Sequence, residues 1–538
     1  MDQLLSKIAR LNEIGIALSA ASDVDVLCDQ ILSGAMELTN ADGGSLYRMS
    51  DDKKYLEFII VLTHSLGIHM GGNSGHAIAF PAIPLMLDGK PNKNNIVSSA
   101  VHGDCTINIP DAYHAEGFDF SGTRKFDQQT GYRTQSILTI PLKDHRDDII
   151  GVLQLINAKQ EGCDITCEFS STDQQISESL ASQAAVAITN NKLIDEQRRL
   201  FDAFIELIAG AIDEKSPYTG GHCKRVPVLT MMIAEACHDS ELGDLKAFRM
   251  TDKDRYELKI AGLLHDCGKI TTPEHIVDKA TKLETIHDRI DTVETRFEVL
   301  KRDVTIEYLQ QKLSRLSDPE TENFADLDDV HQQKLAQLDD DRDFIRRTNV
   351  GGEFMDESLQ DRVRDIGNYC WSGAEEVETK FLDDDEVKNL TVAKGTLTDD
   401  EREKINRHMA VTIDMLAQLP FPDHLANVPE YAGGHHERMD GRGYPKGLTR
   451  EEMSIPARIM GVADIFEALT ASDRPYKDGK PLTECLHILG NMKKDKHIDP
   501  EIFDVFIREK IYLQYAEKFL GKNQIDHVDE ANIPGYQP

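Results

Sequence analysis

The sequence lacks paired cysteines and long apolar runs. Its nine cysteines stand singly, with no CxxC pair, which is typical of a protein in a reducing compartment. No uninterrupted apolar stretch reaches the ~18 residues that suggest a membrane span. The opening MDQLLSKIARLNEIGIALSAASDVD is amphipathic and acidic, unlike a secretory signal. These absences predict a cytoplasmic protein without a membrane span.

The sequence also has comparatively few basic residues. The 60 lysines and arginines stand against 94 aspartates and glutamates, which gives a formal net charge of −34. A surface of this charge repels polyanions, so neither nucleic acid nor an anionic membrane is expected as a partner. A phosphate-bearing ligand therefore needs local cations, from metal ions or from a few lysine and arginine side chains.

The length and composition of the chain predict a multidomain globular protein. The chain has 538 residues, of which 40% are hydrophobic and 29% charged, enough for two to four domains at ~100–200 residues each. Residues from about 20 to 160 contain short apolar or alternating runs, such as YLEFIIVLTH and IIGVLQLINA, which are typical of strands. This segment is predicted to be an α+β domain whose sheet is flanked by helices.

A long helix is predicted over residues 172–212. Apolar residues recur there at intervals of seven, the spacing of one seam of a coiled coil, while the companion positions are polar. The apolar positions are Leu180, Ala187, Ile194, Phe201 and Ile208. This pattern predicts a signalling helix that pairs with a second copy in a homodimer. A single amphipathic helix packed on its own domain is the alternative.

From residue 213 onward the pattern is helical, with no convincing strand. A second heptad run begins at Ile286 and ends before Pro319, within a strongly charged region. Such a region is typical of a solvated helical hairpin. The tail after about residue 522 has little apolar periodicity, so loose order is expected there.

Metal-binding residue types occur in separate pieces of this helical half, within GGHCKRV, LLHDCGKI, INRHMAV and GGHHERMDGRGYP. His265 and Asp266 are adjacent, as are His435 and His436, and adjacent helical residues point about 100° apart. Such pairs suit two neighbouring metals better than one closed tetrahedral site, and Asp266 can bridge them. Imidazole and carboxylate ligands without thiolate favour Fe, Mn, Ni or Zn.

This set of residues suits phosphodiester hydrolysis. Two metals ~3.5–4 Å apart can activate a bridging water and clamp the oxygens of a phosphodiester. Lys269 lies one helical turn after His265, where its ammonium can bind a phosphate oxygen or protonate the leaving oxygen. Asp266 and Lys269 are therefore the candidate catalytic residues.

The segments HDCGK and HHERMDGRGYP resemble the signature of the HD-GYP family of HD-domain phosphohydrolases. The resemblance covers residues from about 213 to 520, apart from a helical insertion at about 284–395. It implies an all-α bundle that holds two or three metals, usually iron or manganese. It also implies hydrolysis of cyclic di-GMP or a related cyclic dinucleotide.

The resemblance further implies roles for single residues. One metal is expected on His222, His265, Asp266 and Asp464, and a second on Asp266, His408, His435 and His436. Substrate contacts are expected from Arg474, Lys477, Tyr444 and Pro445. For two further acidic residues, two roles remain possible. Their carboxylates either orient the ligating imidazoles or only form hydrogen bonds with the backbone of their own loop. These acids are Glu437 and Asp440.

One position departs from the resemblance. Members with a third metal have a carboxylate four residues before the first ligand histidine, where this chain has Tyr218. Two metals are therefore expected rather than three, and pGpG rather than GMP as the main product of cyclic di-GMP.

The first domain resembles a GAF sensory domain through ADGGSLY, INIPDAY and DQQTGYRTQSILTIPL. The resemblance implies a small-molecule site, with a cyclic nucleotide as the leading ligand. A ligand-free domain for dimerisation or protein contact is the alternative.

The predicted organisation is a GAF-like domain (1–171), a signalling helix (172–212), a metal-dependent phosphohydrolase domain (213–522) and a tail (523–538). The predicted function is hydrolysis of cyclic di-GMP under the control of the GAF domain. The alternatives are another cyclic dinucleotide substrate, such as cyclic GMP-AMP, and a non-hydrolytic cyclic-dinucleotide receptor or interaction platform.

Overall fold

The computed structural model describes residues 2–20, 23–160, 162–215, 221–316, 324–352, 354–372, 378–472 and 479–537. These residues divide into two compact units, Met1–Phe201 and Asp202–Pro538. The first unit is α+β and the second is mainly helical. The predicted order of an α+β domain followed by a helical region is confirmed.

The first unit is built around an antiparallel sheet. Its helices are α1 (Asp2–Ala20), α2 (Val24–Thr39), α3 (Ile96–Gly103), α4 (Ser121–Thr130) and the beginning of α5 (Ser171–Asp213). Its longer strands are β1 (Ala41–Met49), β2 (Tyr55–Thr63), β3 (Ile68–Gly71), β7 (Ile107–Ile109), β8 (Ile137–Lys143) and β9 (Ile149–Lys159). Its two-residue strands are β4 (Ile83–Pro84), β5 (Met86–Leu87), β6 (Lys90–Pro91) and β10 (Thr166–Cys167).

The main strands run in the order β3-β2-β1-β9-β8-β7. The central strand β1 places Leu46 opposite Ile60 on one side and Leu153 on the other. Because side chains alternate along a strand, the sheet can bury residues on both faces. One apolar cluster contains Leu46 and Leu153 with residues of α1, α2 and α5. The other contains Tyr47 and Val152 with residues of α3.

The second unit is mainly helical. Its first helices are α6 (His222–His238), α7 (Asp252–Leu264), α8 (Glu274–Val277), α9 (Ile290–Leu316), α10 (Ala325–Val350), α11 (Glu357–Gly367) and α12 (Asp384–Leu390). Its later helices are α13 (Asp399–Ala417), α14 (Val428–Gly433), α15 (Ile455–Thr470), α16 (Leu482–Lys494), α17 (Pro500–Arg508) and α18 (Ile511–Phe519). Two short strands, β11 (Cys370–Ser372) and β12 (Glu378–Lys380), pair antiparallel between α11 and α12.

Residues of α9 to α12 share an apolar core of their own within this unit. Phe297 and Phe381 meet edge to face in it, with ring centroids 4.5 Å apart. Lys282 is only 2% exposed, and its Nζ donates to the carbonyls of Leu390 (3.0 Å) and Val392 (2.7 Å). The buried ammonium therefore joins the two ends of the segment that the sequence predicts as an insertion.

Three details differ from the sequence-based predictions. The β11–β12 hairpin interrupts a region that was expected to have no strand, and its strands are too short to give an alternating pattern. The tail is not loose, because Ile533 and Tyr536 are buried. Leu180, expected on an intermolecular seam, is fully buried in the core of its own unit.

Within the described ranges, no helix combines the length and the apolar character that crossing a membrane requires.

Candidate metal centre

The expected ligands come from the ends and middles of five helices of the second unit. His222 is the first residue of α6, and His265 follows the last residue of α7. His408 lies within α13, and Asp464 lies within α15. His435 and His436 follow α14, and Asp266 follows His265 directly. Residues far apart in the sequence therefore converge on one place.

Gly268 allows two of these elements to approach closely. Its backbone N–H donates to Thr412 Oγ1 of α13 at 2.9 Å. A Cβ atom at this position would lie 2.0 Å from the carbonyl oxygen of His408, a distance that no side chain tolerates. The glycine in the sequence HDCGK therefore lets the turn that carries Asp266 pack directly against the helix that carries His408.

The first group of ligands is formed by His222, His265, Asp266 and Asp464. The Nε2 atom of His222 lies 3.2 Å from Asp266 Oδ2 and 3.3 Å from Asp464 Oδ1. The Nε2 atom of His265 lies 3.2 Å from His222 Nε2 and 3.3 Å from Asp266 Oδ2. Two imidazole nitrogens and two carboxylates thus face a common point.

The second group is formed by His408, His435 and His436. One ring nitrogen from each of these histidines lies within 4.8 Å of the others. Asp266 connects the two groups, because its Oδ2 faces His222 and His265 while its Oδ1 lies 3.3 Å from His408 Nε2. Asp266 is therefore placed as a bridge between two neighbouring sites.

Bonds outside the two groups fix which nitrogen of each imidazole faces inward. The Nδ1 atoms of His265, His408 and His435 donate to carbonyl oxygens three residues earlier in the chain, at 2.8, 2.5 and 2.7 Å. A carbonyl can only accept, so the proton of each neutral ring is on Nδ1. In the neutral form of each ring, Nε2 carries the lone pair and is the atom available to a metal.

His222 is fixed in a different way. Its Nδ1 lies 2.5 Å from Oε2 of Glu467, a side chain that is almost fully buried. The other oxygen of Glu467 accepts from Arg225 Nε at 2.6 Å. A carboxylate behind a ligating imidazole orients the ring and raises its basicity. Glu467 was not predicted as part of the site. It lies three residues after Asp464 on α15, and its second partner, Arg225, likewise lies three residues after His222 on α6.

Three buried atoms of the centre make no hydrogen bond within the described residues: Asp266 Oδ1, His408 Nε2 and His435 Nε2. Unsatisfied buried polar atoms cost free energy, and two of the three, Asp266 Oδ1 and His408 Nε2, lie 3.3 Å apart without a hydrogen bond between them. Imidazole nitrogens and carboxylate oxygens are ligands for divalent Fe, Mn or Zn. The residues therefore fit a pair of metal ions.

The environment sets the protonation state of several of these imidazoles. Burial lowers the pKa of His435 well below its usual value and that of His436 to about 4, so both rings are neutral. Burial alone would likewise lower the pKa of His265, but Asp266 and Asp464 raise it to about 9. Without a metal ion, His265 is therefore protonated on Nε2 as well as on Nδ1. A bound metal would displace the Nε2 proton and leave the lone pair for ligation, because ligating imidazoles must be neutral.

Lys269 reaches the same centre. Its Nζ lies 2.5 Å from Asp266 Oδ2. Burial lowers the pKa of this amine, but Asp266 and Asp464 outweigh it and raise the pKa. The side chain is therefore a positively charged ammonium beside the candidate bridging carboxylate.

Glu437 and Asp440, for which the sequence leaves two roles possible, form hydrogen bonds within the loop after His436. Glu437 accepts hydrogen bonds from the backbone N–H groups of Lys446 (2.7 Å) and Leu448 (2.9 Å). Asp440 accepts from the side chains of Arg438 and Arg442. These contacts match the loop role, and the carboxylate behind an imidazole is instead Glu467.

The predicted substrate contacts divide into two sets. The ring of Tyr444 stacks on that of His436, with centroids 4.8 Å apart and an angle of 17°, while Pro445 is exposed on the same loop. Arg474 and Lys477 lie outside the described residues, as does Tyr218. The geometry thus places Tyr444 beside the second group.

Both halves of the chain match models of known domain families. Residues 23–188 match the GAF domain. Residues 219–331 match the HD domain, and residues 385–502 match a second HD domain model. The two HD matches leave residues 332–384 between them, within the segment that the sequence predicts as an insertion.

The chain is also similar to curated proteins of Vibrio cholerae serotype O1. It is 39% identical to 3'3'-cGAMP-specific phosphodiesterase 1 over 114 residues, which are 21% of this chain and 26% of that protein. It is 25% identical to 3'3'-cGAMP-specific phosphodiesterase 3 over 311 residues, 56% of this chain and 39% of that protein. It is 28% identical to a probable cyclic di-GMP phosphodiesterase over 316 residues, 55% of this chain and 64% of that protein.

The chain therefore spans between 26% and 64% of the lengths of these relatives. These matches confirm the predicted combination of a sensory domain and a metal-dependent phosphohydrolase region. The chain carries an N-terminal GAF domain followed by a helical region of the HD-domain family.

Proposed function

We propose that this protein is an HD-GYP-type phosphodiesterase that hydrolyses cyclic di-GMP. The observation that carries the proposal is the pair of ligand groups joined by Asp266, with buried ligand atoms that lack a hydrogen-bond partner among the described residues. The names of the relatives from Vibrio cholerae support a cyclic dinucleotide as the substrate.

Two divalent cations, Fe or Mn, would be held by His222, His265, Asp266 and Asp464 on one side and by Asp266, His408, His435 and His436 on the other. When bound, such ions supply Lewis acidity for the attack of water on a phosphodiester. No third metal is proposed, and pGpG is proposed as the main product, because Tyr218 stands where a further carboxylate is expected.

The side chains of the chain itself have distinct tasks in this proposal. Asp266 keeps a negative charge between the two groups, because its pKa is well below its usual value: Lys269 and the neighbouring histidines outweigh the effect of burial. Lys269 holds a proton on Nζ beside this carboxylate. From there it can bind a phosphate oxygen or deliver the proton to the leaving oxygen. Arg474 and Lys477 are proposed to bind the phosphates.

The loop after His436 is proposed to complete the substrate site. Glu437 fixes the loop by accepting from two of its backbone N–H groups. Tyr444 stacks on His436 and presents its other face away from the ligand ring. We propose that Tyr444 and Pro445 contact the substrate from this side.

The other half of the chain is proposed as the regulatory input. The proposed boundaries are residues 1–171 for the sensory domain, 172–212 for the signalling helix and 213–522 for the hydrolase, with an insertion at about 284–395. A small molecule such as a cyclic nucleotide is the proposed ligand of the GAF domain. We further propose a cytoplasmic homodimer.

A second candidate substrate is cyclic GMP-AMP. It is favoured by the names of two relatives, which are 3'3'-cGAMP-specific phosphodiesterases. A direct comparison of initial rates on cyclic di-GMP and 3'3'-cyclic GMP-AMP decides between them, since both substrates carry the same kind of phosphodiester.

The test of the function is the Asp266→Ala variant, with Asp414→Ala as the matched control. Asp414 is an exposed residue of α13, the helix that carries His408. Asp266→Ala should reduce hydrolysis of cyclic di-GMP to the background rate and lower the metal content per chain, while circular dichroism shows an intact fold. Asp414→Ala should match the wild type. Wild-type turnover in Asp266→Ala would overturn the proposal.

A further inference from the structure

The side chain of Lys215 contacts the turn that carries Lys269. Lys215 comes two residues after the end of α5, and its backbone N–H still donates to the carbonyl of Ile212 at 3.2 Å. Its ammonium donates to the carbonyl oxygen of Lys269 at 2.9 Å and to that of Ile270. One side chain of the second unit therefore bonds to two successive carbonyls beside the candidate metal centre.

The sequence of this turn leaves one carbonyl without its usual backbone donor. Residues Cys267–Thr271 form a short 3₁₀ helix, in which a carbonyl accepts from the N–H three residues later. For the carbonyl of Ile270 that residue is Pro273, and proline has no N–H. The ammonium of Lys215 supplies a donor in its place.

The same turn is also bonded to helix α13. The N–H of Gly268 donates to Thr412 Oγ1 at 2.9 Å, so the turn has one anchor on α13 and another on Lys215. From this turn the side chain of Lys269 extends to Asp266 Oδ2. The place of the Lys269 ammonium therefore depends on the two anchors that hold its backbone.

Asp213, the last residue of α5, is itself fixed. Its side chain is buried, and Oδ1 accepts from the backbone N–H of Cys223 at 3.0 Å. Cys223 lies in the first turn of α6, where the capping residue Gly221 offers no side-chain acceptor. A carboxylate is favourable there, because the first N–H groups of a helix lack partners within the helix. Lys215, two residues later, thus extends from a fixed part of the chain.

We infer that Lys215 is a positioning residue, which holds the turn so that the Lys269 ammonium stays beside Asp266. The inference rests on the proposed function, in which Lys269 binds a phosphate oxygen or delivers a proton to the leaving oxygen. Position matters in such a role, because a displacement of about 1 Å can cost about 100-fold in rate. Lys215 acts through the backbone of Lys269 and needs no contact with the substrate.

The first test is a double-mutant cycle in the full-length, metal-loaded protein, with initial rates on cyclic di-GMP. Lys215→Met should lower kcat/KM by about 10- to 100-fold. In the Lys269→Met background the same substitution should have almost no further effect, because the group that Lys215 positions is then absent. Lys215→Arg should keep most of the rate, because a guanidinium can also donate to both carbonyls.

The second test measures amide hydrogen exchange and needs no turnover. In Lys215→Met, exchange in residues 266–272 should be faster by about 10-fold or more, because a hydrogen bond from a charged group is lost. Exchange in the rest of the second unit should be unchanged. Lys259→Met is the matched control for both tests, because Lys259 is an exposed residue of α7, the helix that ends before His265. It should match the wild type in rate and in exchange.

Three results would overturn the inference. Wild-type exchange in the turn of Lys215→Met would show that Lys215 does not hold it. Faster exchange throughout the second unit would show that Lys215 only supports the fold. An equal loss of rate with and without Lys269 would show that Lys215 does not act through Lys269.

Failure of the proposed function would look different. The wild type itself would then turn over neither cyclic di-GMP nor 3'3'-cyclic GMP-AMP, which would overturn the hydrolysis and the role of Lys215 in it. Faster exchange confined to the turn of Lys215→Met would still show that Lys215 holds the turn.

Discussion

Glu467 is the side chain whose replacement tests the architecture of the metal centre most sharply. Its two oxygens accept from two different donors, His222 Nδ1 at 2.5 Å and Arg225 Nε at 2.6 Å. Glutamine has nearly the same shape but offers one accepting oxygen and one donating NH₂ group. The Glu467→Gln variant therefore cannot satisfy both partners, and one donor is left facing another donor.

The expected loss follows from the kind of bond that is broken. A buried hydrogen bond to a charged group contributes about 1.5–3 kcal/mol, which corresponds to roughly 10- to 150-fold in an equilibrium constant. The loss of a partner behind a metal-ligating histidine typically lowers metal affinity or activity by about 10- to 100-fold. We expect an effect of this size on the ion held by His222 and a smaller effect on the ion held by His435 and His436.

The assay is a competition between the protein and a coloured metal chelator. As chelator is added, Glu467→Gln should fall from about two ions per chain to about one, whereas the wild type keeps both. The kcat should fall with the occupancy of the weakened site. Glu484→Gln is the matched control, because Glu484 is half exposed and pairs with Lys480 on the surface.

Two results would contradict this role of Glu467. One is wild-type retention of both ions in Glu467→Gln, which would show that the carboxylate does not orient His222. The other is equal loss of both ions together with a lower melting temperature of the metal-free protein. That result would mean that Glu467 only supports the fold.

Two further predictions concern the loop and the insertion. Gly443→Ala should lower the free energy of unfolding by about 1–3 kcal/mol in denaturant titrations, because a Cβ there would lie 2.4 Å from Glu437 Cα. Gly352→Ala is the control, because a Cβ at Gly352 meets open space. Equal stability of the two variants would contradict the close approach of Gly443 to Glu437. Burial lowers the pKa of Lys282 to about 8, from 10.5, so between these pH values the unfolded chain binds more protons than the folded one. The stability of the wild type relative to Lys282→Met should therefore rise with pH across this window, and a constant difference in urea titrations would contradict it.

The chemistry of the residues predicts part of the candidate site, and the resemblance to the HD-GYP family supplies the full ligand set. Adjacent pairs such as His265 with Asp266 and His435 with His436 indicate two neighbouring metals through their spacing alone. The fold brings these residues together, with Asp266 between the two groups. The order of an α+β domain and a helical region also follows from the sequence, because strands and helices have different apolar periods.

The features that sequence reasoning missed depend on contacts between distant segments. Glu467 and His222 are 245 residues apart, and only the packing of α15 against α6 shows that they meet. Glu437 bonds to the loop rather than to an imidazole, because the chain turns back on itself at Gly443. Ile533 and Tyr536 are buried although the tail has no periodic apolar pattern. Ile533 lies against Gly490 of α16, a contact between segments that periodicity cannot predict.

The proposed phosphodiesterase activity is tested most directly by incubating the full-length protein, purified without oxygen, with cyclic di-GMP. Chromatography of the products and metal analysis of the same sample are needed together. We expect about two Fe or Mn ions per chain and conversion of cyclic di-GMP mainly to pGpG. Tight binding of cyclic di-GMP without cleavage, at full metal occupancy, would contradict it and would identify the protein as a receptor.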